Sequence, residues 1–317
     1  MILVTGATGF VGGALVRRLA ADPACTGVVA AVRRKSESQP EGVRQVQVGD
    51  LLPTSDWGLA LQGVEAMVHC AARVHVMKDD AKDPIQAYRE VNVKGTLKLA
   101  SQAAQAGVRR FVFVSSIKVN GEFTEVGKPF TADDFPAPKD PYGVSKHEAE
   151  ELLRKIAIET GMEVVIIRPP LVYGPGVKAN FESMMRWLAR GVPLPPAAVT
   201  ENRRSLVALD NLVDLIVTCL NHPAAANQTF LVSDGEDLST AQLLKRMGAA
   251  MGHPARLFYL PPVLLRLGAS VLNRPGIYQR LCGSLQLDIA KTRQLLGWTP
   301  PVSVDEGLRR AAEGFCP

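Results

Sequence analysis

Cysteine is scarce: five residues, Cys25, Cys70, Cys219, Cys282 and Cys316, are scattered through 317 positions, with no pair at metal-knuckle spacing. This excludes a zinc ribbon and a dense disulfide framework, leaves no metal site to expect, and points to a reducing compartment, the cytoplasm. No charge of one sign dominates. The 36 Lys and Arg against 31 Asp and Glu leave +5, a balance that suits an anionic ligand but is too mild to imply nucleic acid. Gly and Pro, 27 and 22 residues, are spread rather than clustered, which argues against disorder or repeats. The opening MILVTGATGF has no basic leader before an apolar run, so it does not read as a signal peptide. A long apolar run is also lacking. The nearest approach, 257–272, holds Pro261, Pro262 and Arg266 and falls short of the ~20 residues of a membrane span. It reads as a buried or partner-facing helix, with contact at a membrane surface as the other reading.

What is present is a chain that is 47% hydrophobic and long enough for one large or two coupled domains. Its first part alternates short β-rich runs at 2–5, 27–33, 43–48, 66–70, 111–115 and 163–168 with helical patterns at 11–21, 85–106 and 143–159. That alternation predicts an α/β fold, a doubly wound parallel sheet of Rossmann type with helices on both faces. After Arg168 come Pro-rich turns, helices at 181–190, 211–221, 240–251, 288–296 and 305–314, and weak strands at 229–232 and 256–260. The expected division is a dinucleotide domain over 1–170 and a smaller α/β substrate domain over 171–317, with the chain crossing between them.

The strand ILVT runs into TGATGFVG as a helix begins. Glycines permit a tight turn and close backbone approach, while the free N–H groups of the helix start attract a pyrophosphate. Gly6, Thr8, Gly9, Phe10, Val11 and Gly12 are therefore candidate cofactor contacts. At the end of the second strand, Val32 stands where NAD sites usually place a carboxylate, and Arg33, Arg34 and Lys35 follow. An arginine there accommodates a 2′-phosphate, so NADP(H) is favoured and NAD(H) is the alternative. Asp50 and Leu51 follow the third strand on the adenine side. The HCAA segment ends the fourth, placing Ala71 and Ala72 beside the expected nicotinamide path. His69 reads as a hydrogen-bonded strand-end residue rather than a catalyst.

Tyr142 and Lys146 lie four apart at a helix start, PYGVSK, and so share a face. An ammonium beside a phenol lowers the phenol pKa, which would make Tyr142 an acid or base near neutrality. The strand ending VSSIKVNG brings Ser115 and Ser116 to the carboxyl edge of the sheet, where open α/β folds bind ligands. The chemistry these groups suit is carbonyl reduction or alcohol oxidation.

In this order, TGATGFVG, HCAA, NVKGT, the serine strand and YGVSK resemble the extended short-chain dehydrogenases/reductases, the NAD-dependent epimerase/dehydratase family. RPPLVYGPG, RRSLVALDNLVDLI and DIAKTRQLLGWTPPVSVDEGLRR extend the resemblance to its nucleotide-sugar branch over nearly the whole chain. The resemblance implies that Ser116, Tyr142 and Lys146 are catalytic, Tyr142 and Lys146 also meeting the cofactor. It implies that Asn180 and Arg204 join Ser116 in binding a UDP-sugar, and that 85–106 and 143–159 form a homodimer. Asn120 departs from the tyrosine common in the serine motif. Ile117 and Lys118 replace the Asp-Glu pair of the related dehydratases, which argues against water elimination. The carboxyl-terminal stretch is similar to bacterial surface-polysaccharide enzymes that make UDP-N-acetylquinovosamine. The expected activity is accordingly NAD(P)H-dependent C4 reduction of a UDP-4-keto-6-deoxy-N-acetylhexosamine. The alternative is a UDP-glucose or UDP-N-acetylglucosamine 4-epimerase retaining NAD. A ketone reductase of another class, or an inactive cofactor-sensing regulator, stands behind both.

Overall fold

Strands apolar on both faces need cover on both, and the second strand shows it: β2, Val28–Val32, is buried at every position. Its neighbours are β1 (Ile2–Thr5), β3 (Arg44–Gln47), β4 (Ala66–His69), β5 (Arg110–Val114), β6 (Glu163–Arg168) and β9 (Thr229–Leu231). These seven form one parallel sheet in the order β3-β2-β1-β4-β5-β6-β9. The order reverses between β1 and β4, and a crevice opens there beyond the carboxyl ends of the strands. The computed structural model describes every residue except 36–38, 75–82, 196–197, 262, 265–274 and 316–317. Most of the apolar segment 257–272, and Cys316, therefore lie outside the described residues.

Helix α1 (Phe10–Ala20) and α7 (Leu209–Asn221) cover one face of the sheet, where Leu15, Leu19, Leu212 and Ile216 join one core. Helices α4 (Thr96–Gln105) and α5 (Pro141–Thr160) cover the other, with Leu99, Ala103, Leu153 and Ile156 in a second core. The helical pattern 85–106 is found as one helical run from Pro84 to Gln105 that changes its winding in the middle. It divides into α3 (Pro84–Tyr88), a π-helical turn over Arg89–Gly95, and α4. A smaller sheet pairs β7 (Leu171–Tyr173) in parallel with β8 (Arg204–Ala208) and β10 (Asp237–Leu238) antiparallel to β8. Around it α6 (Ala179–Ala189), α8 (Thr240–Ala250) and the helix Val304–Glu313 enclose a third core of Phe181, Met185, Leu244 and Leu308. The chain crosses back after β8, since β9 completes the large sheet beside β6.

The strand expected at 256–260 does not form. Leu257 and Tyr259 are isolated bridge positions, Leu257 pairing with Leu194, and Phe258 and Tyr259 are exposed. Of the helix expected after Pro261, the described residues Val263 and Leu264 are helical but exposed rather than buried, and the rest lies outside the described residues.

Candidate active site

The glycine turn is built by steric necessity. Gly6 has φ +66°, a conformation that L side chains rarely adopt, and a Cβ there would stand 2.9 Å from the Ala71 nitrogen. A Cβ on Gly12 would fall 2.2 Å from the Gly6 carbonyl oxygen, so only glycine lets α1 start this close to β1. The Gly9 N–H donates to Gly6 O at 2.8 Å. Thr8 and Gly9 are exposed, Phe10 and Val11 are half-buried, and the first turn of α1 holds no acid. An open cradle with a positive dipole end results, and it fits a pyrophosphate. Ala71 closes its side, donating its N–H to Thr5 Oγ1 at 3.2 Å, with Ala72 next along the loop.

At the adenosine end, Arg33 and Arg34 are exposed just past β2. Arg33 lies 3.8 Å from Asp50, so the two expected cofactor contacts meet one another. The basic turn therefore has a carboxylate at hand, a feature that the missing acid at Val32 did not disclose. Leu51 is buried, and its carbonyl lies 2.7 Å from where a Cβ on Gly95 would be. Leu51 thus packs against the π-helical turn that ends at Gly95.

Helix α5 starts with Asp140, whose carboxylate accepts from the Gly143 N–H at 2.6 Å, and Pro141 follows in its first turn. One turn in, Tyr142 and Lys146 stand at the edge of β5. Lys146 is buried, donates from Nζ to Val114 O at 2.7 Å, and lies 4.0 Å from the centre of the Phe113 ring. Burial pulls its pKa down to about 7, against the opposing pull of Glu150. The half-buried Tyr142 ring meets Tyr88 edge-on at 6.1 Å. Its phenol is pushed upward by burial, then by Asp140 and Tyr88. Spacing alone suggested that Lys146 would lower it. The correction has a plain cause: the amine is held on Val114 O, and the phenol feels the carboxylate that caps its own helix.

The two serines separate cleanly. Ser115 is buried and donates to Glu150 Oε1 at 2.5 Å. Ser116 is half-buried, its hydroxyl accepting only a long 3.3 Å bond from the Lys118 N–H, so its oxygen remains for the crevice. Behind Ser115 runs a network missed in the sequence. Arg168 donates to both Glu150 oxygens, at 3.0 and 2.6 Å, and to Asn120 Oδ1 at 2.9 Å. Asn120 in turn donates to Thr131 O at 2.8 Å. The departure at Asn120 thus fixes the floor of the site. Its one legible signal was Glu150 lying four residues after Lys146 on the same helix face. Lys118 pairs with Asp140.

His69 is a strand-end residue. It is fully buried between Thr5 Oγ1, 2.6 Å from Nδ1, and Thr96 Oγ1, 3.0 Å from Nε2, and burial drops its pKa to about 3. Asn92, in the π-helical turn, donates to Arg73 O and to Ser145 Oγ, each at 3.0 Å, and so ties the loop after β4 to α5.

The two expected substrate residues lie apart along the small sheet. Arg204 opens β8, before its paired run with β7, and donates to Gly283 O at 3.0 Å. Burial lowers its pKa. This end of the small sheet neighbours the catalytic turn, since the Ile117 N–H donates to Pro169 O at 2.9 Å. Asn180 follows the other end of β7 and is exposed in the first turn of α6.

Residues 2–233 match the model of the NAD dependent epimerase/dehydratase family. The chain belongs to this family. Among its relatives, the UDP-glucose 4-epimerase of Vibrio cholerae is 48% identical over 314 residues, covering 99% of this chain and 95% of that one. The UDP-glucose 4-epimerase of Mycolicibacterium smegmatis is 32% identical, covering 99% and 97%. Among solved structures, MoeE5 in complex with UDP-glucuronic acid and NAD superposes with TM-score 0.78 at 27% identity, over 99% of this chain and 98% of that one. The family match ends at residue 233, while the two epimerase relatives align with 99% of this chain.

Proposed function

We propose that the protein is a UDP-hexose 4-epimerase that keeps NAD bound through the catalytic cycle. The observation carrying this reading is the 48% identity to a UDP-glucose 4-epimerase across 99% of the chain. It displaces net C4 reduction of a UDP-4-keto sugar, the activity that the basic turn after β2 suggested.

The residues have definite tasks in this reading. A nicotinamide dinucleotide held at Gly6, Thr8, Gly9, Phe10, Val11 and Gly12 supplies the hydride acceptor and donor at the sugar C4. Tyr142 takes the proton from the C4 hydroxyl as it is oxidised, and gives it back from the phenol when the carbonyl is reduced on its other face. Ser116 hydrogen-bonds that oxygen throughout. Lys146, one turn further along the same helix and held on Val114 O, is placed to meet the dinucleotide beside Tyr142. Arg204 presents a half-buried guanidinium fork to the UDP diphosphate, with Asn180 at the other end of the small sheet. A homodimer through α4 and α5, and a cytoplasmic location, complete the proposal.

Purified protein incubated with UDP-glucose and no added cofactor should give UDP-galactose by proton NMR of the anomeric signals. Absence of UDP-galactose, with consumption of added NADPH on a UDP-4-keto sugar, would overturn it. That second reading, a reductase, retains one observation in its favour: Arg33 and Arg34 are exposed where a 2′-phosphate would lie.

A further inference from the structure

We propose that the smaller lobe docks the protein on an anionic lipid surface through an apolar patch with a cationic rim. Two chain segments build the patch. The turn after α6 is tied to 256–258 by hydrogen bonds from the Leu194 N–H to Arg256 O, at 2.9 Å, and from the Phe258 N–H to Leu194 O, at 3.0 Å. Leu257 packs inward on the third core, while Phe258 and Tyr259 point out, 46% and 72% exposed. Val263 and Leu264, a few residues on, are 67% and 50% exposed, and Trp187 and Val192, before the turn joined to 256–258, are 47% and 41% exposed. Six large apolar side chains exposed on two adjoining segments are unusual on a protein surface and mark a contact site. Tyr and Trp with an apolar body and a polar tip suit a water–lipid boundary.

Charge selects the occupant. Arg190, next to Val192, and Arg256, whose guanidinium lies about 4.0 Å from where a Cβ on Gly191 would be, are exposed at the rim. Between Asp237 and Asp288 the sequence has no acidic residue, and its cations there, Lys245, Arg246, Arg256, Arg266, Arg274 and Arg280, outnumber the net +5 of the entire chain. Arg246 is taken up by Glu236 and Asp305, so among the described residues Arg190 and Arg256 are the cations that rim the patch. A second copy of the chain is a poor occupant, because a two-fold pairing of the patch would set like-charged rims against each other. Anionic headgroups answer the rim while the aromatic side chains enter the interface. No helix among the described residues is long and apolar enough to cross a membrane, so the contact is peripheral.

The chain supplies its own reporter. Trp57 and Trp298 are buried, at 2% and 5%, and Trp187 is the exposed one. Flotation of the full chain with phosphatidylcholine vesicles, with and without phosphatidylglycerol, should show binding only with the anionic lipid, weakened by salt and accompanied by a blue shift of Trp187 emission. The double substitution Phe258→Ser/Tyr259→Ser and the double substitution Arg190→Gln/Arg256→Gln should each reduce binding about tenfold or more, leaving turnover in solution unchanged. Absence of flotation, equal binding to neutral vesicles, or a dimer that Phe258→Ser/Tyr259→Ser dissolves without any lipid binding would each overturn the proposal.

Discussion

Lys118 and Asp140 form an ion pair that joins the turn carrying Ser116 to the cap of the helix carrying Tyr142. Through it the two groups that meet the sugar oxygen are held by one side-chain clasp, although they are far apart in sequence. Glu122, 3.9 Å from the Lys118 amine, is the other carboxylate beside it. Lys118 also answers the Asp140 charge that helps push the Tyr142 phenol upward. Lys118→Gln should therefore lower kcat about tenfold and move the acidic limb of its pH profile to higher pH. Steady-state kinetics across pH check both; an unmoved limb would show that the clasp is only structural.

The serines make opposite predictions. Ser116→Ala should cost kcat about 10²–10³-fold with little change in melting temperature. Ser115→Ala should lower the melting temperature instead, because it leaves buried Glu150 without one of its donors. Tyr142→Phe should reduce turnover by 10²–10⁴-fold while dinucleotide affinity, read by calorimetry, stays within a few-fold. An active Tyr142→Phe protein would place the proton transfer elsewhere.

Lys146 gives a stability signature with a definite sign. The folded amine loses its proton near pH 7, whereas an ordinary lysine holds it to about 10.5. Between those values the unfolded chain carries more protons, so folding stability rises with pH across that window. Below pH 7 both states are charged, and the cost of burying the ammonium is fully felt. Lys146→Met removes this dependence. The stability of wild type relative to Lys146→Met should accordingly improve from pH 7 to pH 10 in urea unfolding; parallel curves would contradict the depressed pKa.

Gly12→Ala probes the cradle. Its Cβ would fall 2.2 Å from backbone oxygen, and no side-chain rotation relieves that contact. The start of α1 must shift, and retained dinucleotide should be lost from the purified protein. Retention of a full equivalent, measured by absorbance after denaturation, would mean that the cofactor does not sit on this turn.

Much of this was legible in the sequence because the first six strands are short apolar runs bounded by turns, and all six appear within two residues of their expected limits. β7 was not legible: Leu171–Tyr173 is three residues among prolines, too short for a period. At 256–260 the pattern misled, since an apolar run with no sheet edge to join becomes an exposed face. The π-helical turn within 85–106 was not legible either; it carries Asn92, which reaches Arg73 and Ser145, residues distant in sequence. Site residues set by local spacing, Tyr142 with Lys146 and the glycine turn, could be read directly. Those set by contacts distant in sequence could not: the joining of Arg33 to Asp50, the Glu150–Arg168–Asn120 floor, and the burial that brings Lys146 to about 7.

The most direct measurement follows one hydrogen. UDP-glucose deuterated at C4, incubated with the purified protein without added cofactor, should yield UDP-galactose with the deuterium still at C4, because the hydride leaves and returns within one active site. Absence of UDP-galactose, with deuterium appearing in free NAD or NADP supplied to a parallel incubation, would contradict epimerisation.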